Sequence, residues 1–133
     1  MQIMLPILYH QVEFANVQNL ADFYKTSLPE TPKIRALVDG IKLLFSLPQS
    51  NLQIYVAEGK RIYKIIVLSK DVQKMPFGYF VYIPGERRLD AYSAESEIPI
   101  AQWKNRKPVY SGVSMFLEKA GVLQVFDKLT NIL

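Results

Sequence analysis

The chain has 133 residues, half of them hydrophobic and about a fifth charged, with a net charge of +4 and no cysteine. That length supports one core rather than two, and the composition is that of a folded chain rather than a disordered one. Without cysteine there can be no disulfide framework, no zinc–thiolate site and no thiol nucleophile. A single α+β domain spanning residues 1–133 is expected.

The opening stretch, Met1–Phe14, leans apolar but has no basic segment ahead of it, and Pro6 interrupts it. It makes a poor secretory leader and is too short to cross a bilayer. A buried arm or strand is the expectation, with no membrane span and a cytoplasmic setting. Asn16 is placed to cap a helix over Val17–Ser27, and Leu28-Pro29 ends it. Thr31-Pro32 then opens a second helix, threonine as cap and proline in the first turn. Ile34, Leu37, Val38, Ile41, Leu44 and Phe45 recur at helical spacing, while Lys33, Arg35, Asp39 and Lys42 take the opposite side. Gly40 costs that helix roughly 1 kcal/mol relative to alanine, so close packing is the expected compensation.

From Asn51 the period changes from 3.6 to 2. Leu52, Ile54 and Val56 alternate with Gln53, Tyr55 and Ala57, the pattern of a half-buried strand. After a Glu58-Gly59 turn, residues 61–68 are apolar on both faces and belong inside a sheet, except that Lys64 needs a route to solvent. A loop over Ser69–Phe77 leads to a strand at Gly78–Ile83. Pro84-Gly85 suits the centre of a type II turn, and Arg87–Tyr92 returns with Arg88, Asp90 and Tyr92 on a face polar enough for an edge strand. Ala94–Pro108 is expected to be irregular, because Pro99 and Pro108 break it, with Ile98, Ile100 and Trp103 folding back onto the body. Ser111 can cap a helix over Gly112–Ala120, with Gly121 at its end, and helical spacing resumes over Val122–Leu133. The predicted fold is a central antiparallel sheet of three to five strands with N-terminal and C-terminal helices packed on it.

Catalytic signatures are sparse. His10 is the sole histidine, no phosphate-cradling glycine loop is present, and Glu95 and Glu97 are the closest carboxylate pair in a predicted loop. No cofactor and no metal site are expected. The charge distribution is more informative. Residues 60–110 hold ten basic and five acidic side chains, whereas the flanking segments are close to neutral. Seven residues of that region make a candidate binding surface: Arg61, Arg87, Arg88, Tyr92, Lys104, Arg106 and Lys107.

Three functions suit this pattern. The first is a non-catalytic interaction module, an adaptor or accessory subunit, binding a protein partner or a second copy of itself. The second is a nucleic-acid binder using a basic, aromatic sheet face. The third, less favoured, is a small ribonuclease with Arg61, Arg87, Arg88 and Tyr92 as phosphate clamps and proton-transfer groups. Convergence of Lys60 and the basic candidates on one face beside exposed tyrosines would favour nucleic acid. Scattered charges beside an exposed apolar patch would favour a protein partner.

Overall fold

The structure, a computed structural model, describes residues 23–27, 31–57, 61–71, 73–94, 98–112 and 121–133. It is an α+β arrangement. Seven strands run β1 (Phe23–Lys25), β2 (Leu52–Ala57), β3 (Tyr63–Leu68), β4 (Pro76–Ile83), β5 (Arg88–Ser93), β6 (Ala101–Lys104) and β7 (Lys107–Tyr110). They pair in sequence order, every neighbour antiparallel. Two helices accompany them, α1 (Pro32–Phe45) and α2 (Val122–Leu129).

Helix α1 has the predicted start. The Thr31 carbonyl accepts the Arg35 N–H at 2.9 Å, although the threonine hydroxyl makes no cap bond. Its end is a Schellman motif: Ser46 takes the left-handed conformation (φ 55°), its N–H donates to the Leu43 carbonyl, and that of Leu47 donates to the Lys42 carbonyl at 2.9 Å. The buried stripe Ile34, Leu37, Val38 and Ile41 faces Val122, Val125, Phe126 and Leu129 of α2 and one face of the sheet, in a single apolar cluster. Gly40 has the role its cost implied. A side chain there would run into the tips of Ile132 (2.8 Å) and Leu129 (3.2 Å), so its absence lets the C-terminal segment approach α1.

In β2 to β6 the face toward the helices carries Leu52, Ile54, Ile65, Val67, Phe80, Tyr82, Leu89, Ala91, Ala101 and Trp103. The opposite face is buried as well: Ala57, Ile66, Leu68, Tyr79, Val81, Ile83 and Tyr92 form a second apolar cluster. A sheet buried on both sides explains why β3 and β4 are nearly continuous hydrophobic runs.

Five sequence expectations are corrected. The sheet has seven strands, not three to five, because Ala101–Tyr110 is a hairpin rather than an irregular segment and Phe23–Lys25 adds a strand on the other side. Pro108 does not break it: opposite Trp103 it occupies a position whose missing N–H faces away from β6, on the outer edge of the sheet. Residues 23–25 are strand instead of helix, paired with Ala57, Val56 and Tyr55. The rest of the predicted first helix, and the one expected over Gly112–Ala120, fall almost wholly outside the described residues. The 84–87 connection is a short 3-10 turn in which Arg87, and not Gly85, takes the positive φ of 50°. Strand β5 is no edge: it lies between β4 and β6, with Asp90 and Tyr92 fully buried. Lys64 finds no route to solvent. It is 1 % exposed, with its ammonium 4.8 Å from the centre of the Tyr79 ring.

Edge strand β7 is fastened to α2 by Tyr110. Its hydroxyl donates to Asp127 Oδ1 at 2.6 Å and its ring meets Phe126 edge-on. The bond to a carboxylate pushes the Tyr110 phenol up to about 12. Because the folded value lies above the unfolded one, near 10, this bond's contribution is complete below about pH 10 and disappears as pH rises through 12. The pair is exposed, so the contribution is small, about 0.5 kcal/mol. Ultraviolet titration of phenolate absorbance should show one tyrosine ionising near 12 that is missing from Tyr110→Phe; identical titration curves would rule the bond out.

Candidate functional site

An antiparallel meander sends alternate turns to opposite ends of its sheet. The β2–β3, β4–β5 and β6–β7 connections therefore share one end. Six of the seven predicted residues lie there: Arg61 just before β3, Arg87 in the β4–β5 turn, Arg88 at the start of β5, Lys104 at the end of β6, Arg106 in the β6–β7 turn and Lys107 at the start of β7. Lys60 is outside the described residues. The cross-strand register aligns three of the cations in one row: Arg88 is opposite Lys104, and Lys104 is opposite Lys107. Paired residues share a face with Cβ atoms about 5 Å apart, and like charges so placed repel.

These cations differ in what holds them. Arg88 is committed to the fold. Its guanidinium donates from Nε to both Asp90 oxygens at 3.0 and 3.1 Å and from Nη2 to Oδ2 at 2.8 Å, and Glu86 sits 3.5 Å from Nη1. Hydrogen bonding to Asp90 holds its pKa above the ordinary arginine value, against the opposing effect of burial. Arg61, Arg87, Lys104, Arg106 and Lys107 are all exposed, and no carboxylate among the described residues forms an ion pair with any of them. Some charges elsewhere are satisfied. Lys42 pairs with Asp39, the Lys33 ammonium reaches the Ile132 carbonyl, and at the opposite end of the sheet Asp71 accepts the Ser69 hydroxyl and the Lys74 N–H. Those two bonds lower the Asp71 pKa.

Two of the exposed arginines sit where side chains are unfavoured. Asn105 (φ 50°) and Arg106 (φ 68°) both have positive φ, the pattern of a type I′ turn, where the second position ordinarily carries glycine. Arg87 closes its turn at φ 50° with its N–H on the Pro84 carbonyl at 3.0 Å. A left-handed conformation costs a non-glycine residue roughly 1 kcal/mol or more. The chain thus carries a guanidinium at the apex of two neighbouring turns despite that cost.

Tyr92, the seventh candidate, belongs to a different place. It is fully buried and stacks on Tyr79, with centroids 4.8 Å apart and planes within 10°. The stack adjoins an interior polar row in which Lys64, Val81, Asp90 and Gln102 follow one another across four strands, and the Gln102 amide donates to Asp90 Oδ1 at 3.1 Å. From sequence Asp90 reads as a polar residue of an edge strand and Lys64 as a cation in need of a route to solvent; the signal for the ion pair is the Arg88–Asp90 spacing of two, which puts opposite charges on one face of a strand.

Few exposed rings accompany the basic end. Tyr82 and Trp103 are buried and Tyr63 is half-buried against the core. The exposed aromatics among the described residues are Tyr110, at the far end of β7, and Tyr24, which the register places opposite Val56 on the β1 side of this end. His10, Glu95 and Glu97 lie outside the described residues, among which no three His, Asp or Glu side chains gather to hold a metal ion. No helix in the described residues is long and apolar enough to cross a membrane. No protein-family model matches the chain, and no curated protein or solved structure matches it either.

Proposed function

We propose that this chain is a non-catalytic interaction module that holds an anionic partner against the basic end of its sheet. The observation that carries this reading is the set of five exposed cations, Arg61, Arg87, Lys104, Arg106 and Lys107, gathered at one end with no carboxylate of the described residues paired to them. Repulsion within such a set opposes folding, and a bound polyanion relieves it. A ribonuclease has less support. Tyr92 is buried in a ring stack and Arg88 is occupied by Asp90, so two of the four groups that reading needs are unavailable to a phosphate.

Chromatography on immobilised heparin, a generic polyanion, tests the surface. The chain should be retained at low salt, and Lys104→Gln/Lys107→Gln should elute at distinctly lower salt, since each cation removed reduces the number of counterions exchanged. Co-elution of the two proteins would show that the surface is elsewhere.

A further inference from the structure

Resting on that reading, we infer that the anionic partner is double-stranded nucleic acid, gripped through its phosphate backbone without base recognition. The argument has three parts. The first is shape. The cations lie along the end of the sheet from β3 to β7, four interstrand spacings, or about 19 Å. The topology sets them one turn after another in a line along that end. A line fits a linear polyanion better than the plane of a lipid surface, and 19 Å covers about five phosphate steps of a duplex strand.

The second is the chemistry of the cations. Three of the five are arginines, and two of these project from turn apices in left-handed backbone. A guanidinium matches a phosphate with two parallel N–H donors, which an ammonium cannot do. The third is the scarcity of ring surface. Single strands are held by stacking their bases on exposed aromatics, and the rings nearest the cations of β5 to β7, Tyr82 and Trp103, are buried in the core, with half-buried Tyr63 and exposed Tyr24 confined to the β1–β3 side. A duplex keeps its bases stacked internally and presents phosphates alone, so it asks only for what this end offers.

The left-handed arginines supply a clean test. Arg87→Gly/Arg106→Gly removes two cations while giving both turns the residue their backbone favours. Labelled 20-base-pair DNA and RNA duplexes, and single strands of the same length, are titrated by fluorescence anisotropy over a range of salt concentrations. Heparin retention and vesicles of mixed phosphatidylcholine and phosphatidylserine are run in parallel. The wild type should bind at least one duplex more tightly than its single strand. Its affinity should fall with salt at a log–log slope of about −4, as expected for four or five phosphate contacts. The double variant should melt at a higher temperature than the wild type, yet bind the duplex at least tenfold more weakly with a slope shallower by about 2. Equal or tighter binding of single strands overturns the duplex inference. So does binding to heparin or vesicles without binding to either duplex, which leaves the anionic-partner reading in place. No binding to any of these probes overturns both. Unchanged duplex binding by the double variant removes the turn arginines from the interface.

Discussion

Asp90→Ala should cost about 3–5 kcal/mol of folding stability, the largest loss expected from any charged residue in this fold. Among the described residues Asp90 is the one fully buried carboxylate, and it collects four hydrogen bonds: three from the Arg88 fork and one from Gln102. Truncation takes from the Arg88 guanidinium, whose side chain is 17 % exposed, its buried carboxylate partner and leaves the solvent-exposed Glu86 at 3.5 Å. It also removes the negative charge from a row that contains Lys64, a buried ammonium two strands away. Desolvated charges lose most when one partner goes and the other stays. The loss would appear as a lower urea midpoint followed through Trp103, the single tryptophan, which is buried. Arg88→Met/Asp90→Leu removes both partners together and should recover at least half of it, because apolar side chains of similar size satisfy such a site without an ionic debt. A loss below about 1 kcal/mol for Asp90→Ala would mean that the interior row contributes little to stability.

The buried row also shows which parts of the fold could be read from residues alone. Helix α1, strand β2 and the C-terminal helix were legible because each repeats its apolar period, and β3 and β4 because each is a short, nearly continuous run of β-branched and aromatic residues. Strands β6 and β7 were not. Each is four residues long, β7 contains proline, and their turn is Asn-Arg where Asn-Gly would have announced a hairpin. Strand β5 was found but misassigned to an edge. Its Arg88, Asp90 and Tyr92 alternate as solvent-facing residues do, and their place inside the sheet rests on tertiary partners, among them the bonds of Arg88 and Gln102 to Asp90 and the stack of Tyr92 on Tyr79. The candidate surface depended on the same omission. Counting strands decides which turns share an end, so with 94–108 read as irregular, Lys104, Arg106 and Lys107 could not be placed relative to Arg61 and Arg87. Exposure of the cations was readable from their chemistry; their convergence is a property of the topology.

The second large effect is expected at a residue with no side chain. Gly78 lies in β4 under the start of α2, and a Cβ built there would fall inside the Val122 Cγ2 methyl and within 3.0 Å of the Tyr92 carbonyl oxygen. Val122 is completely buried and opens the helix, so it cannot turn away without moving Val125, Phe126 and Leu129, which share its cluster. Gly78→Ala should therefore destabilise the fold by about 3 kcal/mol, overpacking outweighing the modest gain that alanine brings to a strand. For a chain of this size that lowers the melting temperature by about 10 °C. Val122→Ala on its own should cost about 1–2 kcal/mol through the lost methyl groups. The informative variant combines them. If the helix start rests directly on the bare backbone of β4, the two methyl groups compete for one space, and the double variant should be more stable than the sum of the two losses predicts by at least 1 kcal/mol. Additive losses would mean that the cost of Gly78→Ala arises in the β-ladder, at the Tyr92 carbonyl, and that α2 is positioned by its other contacts.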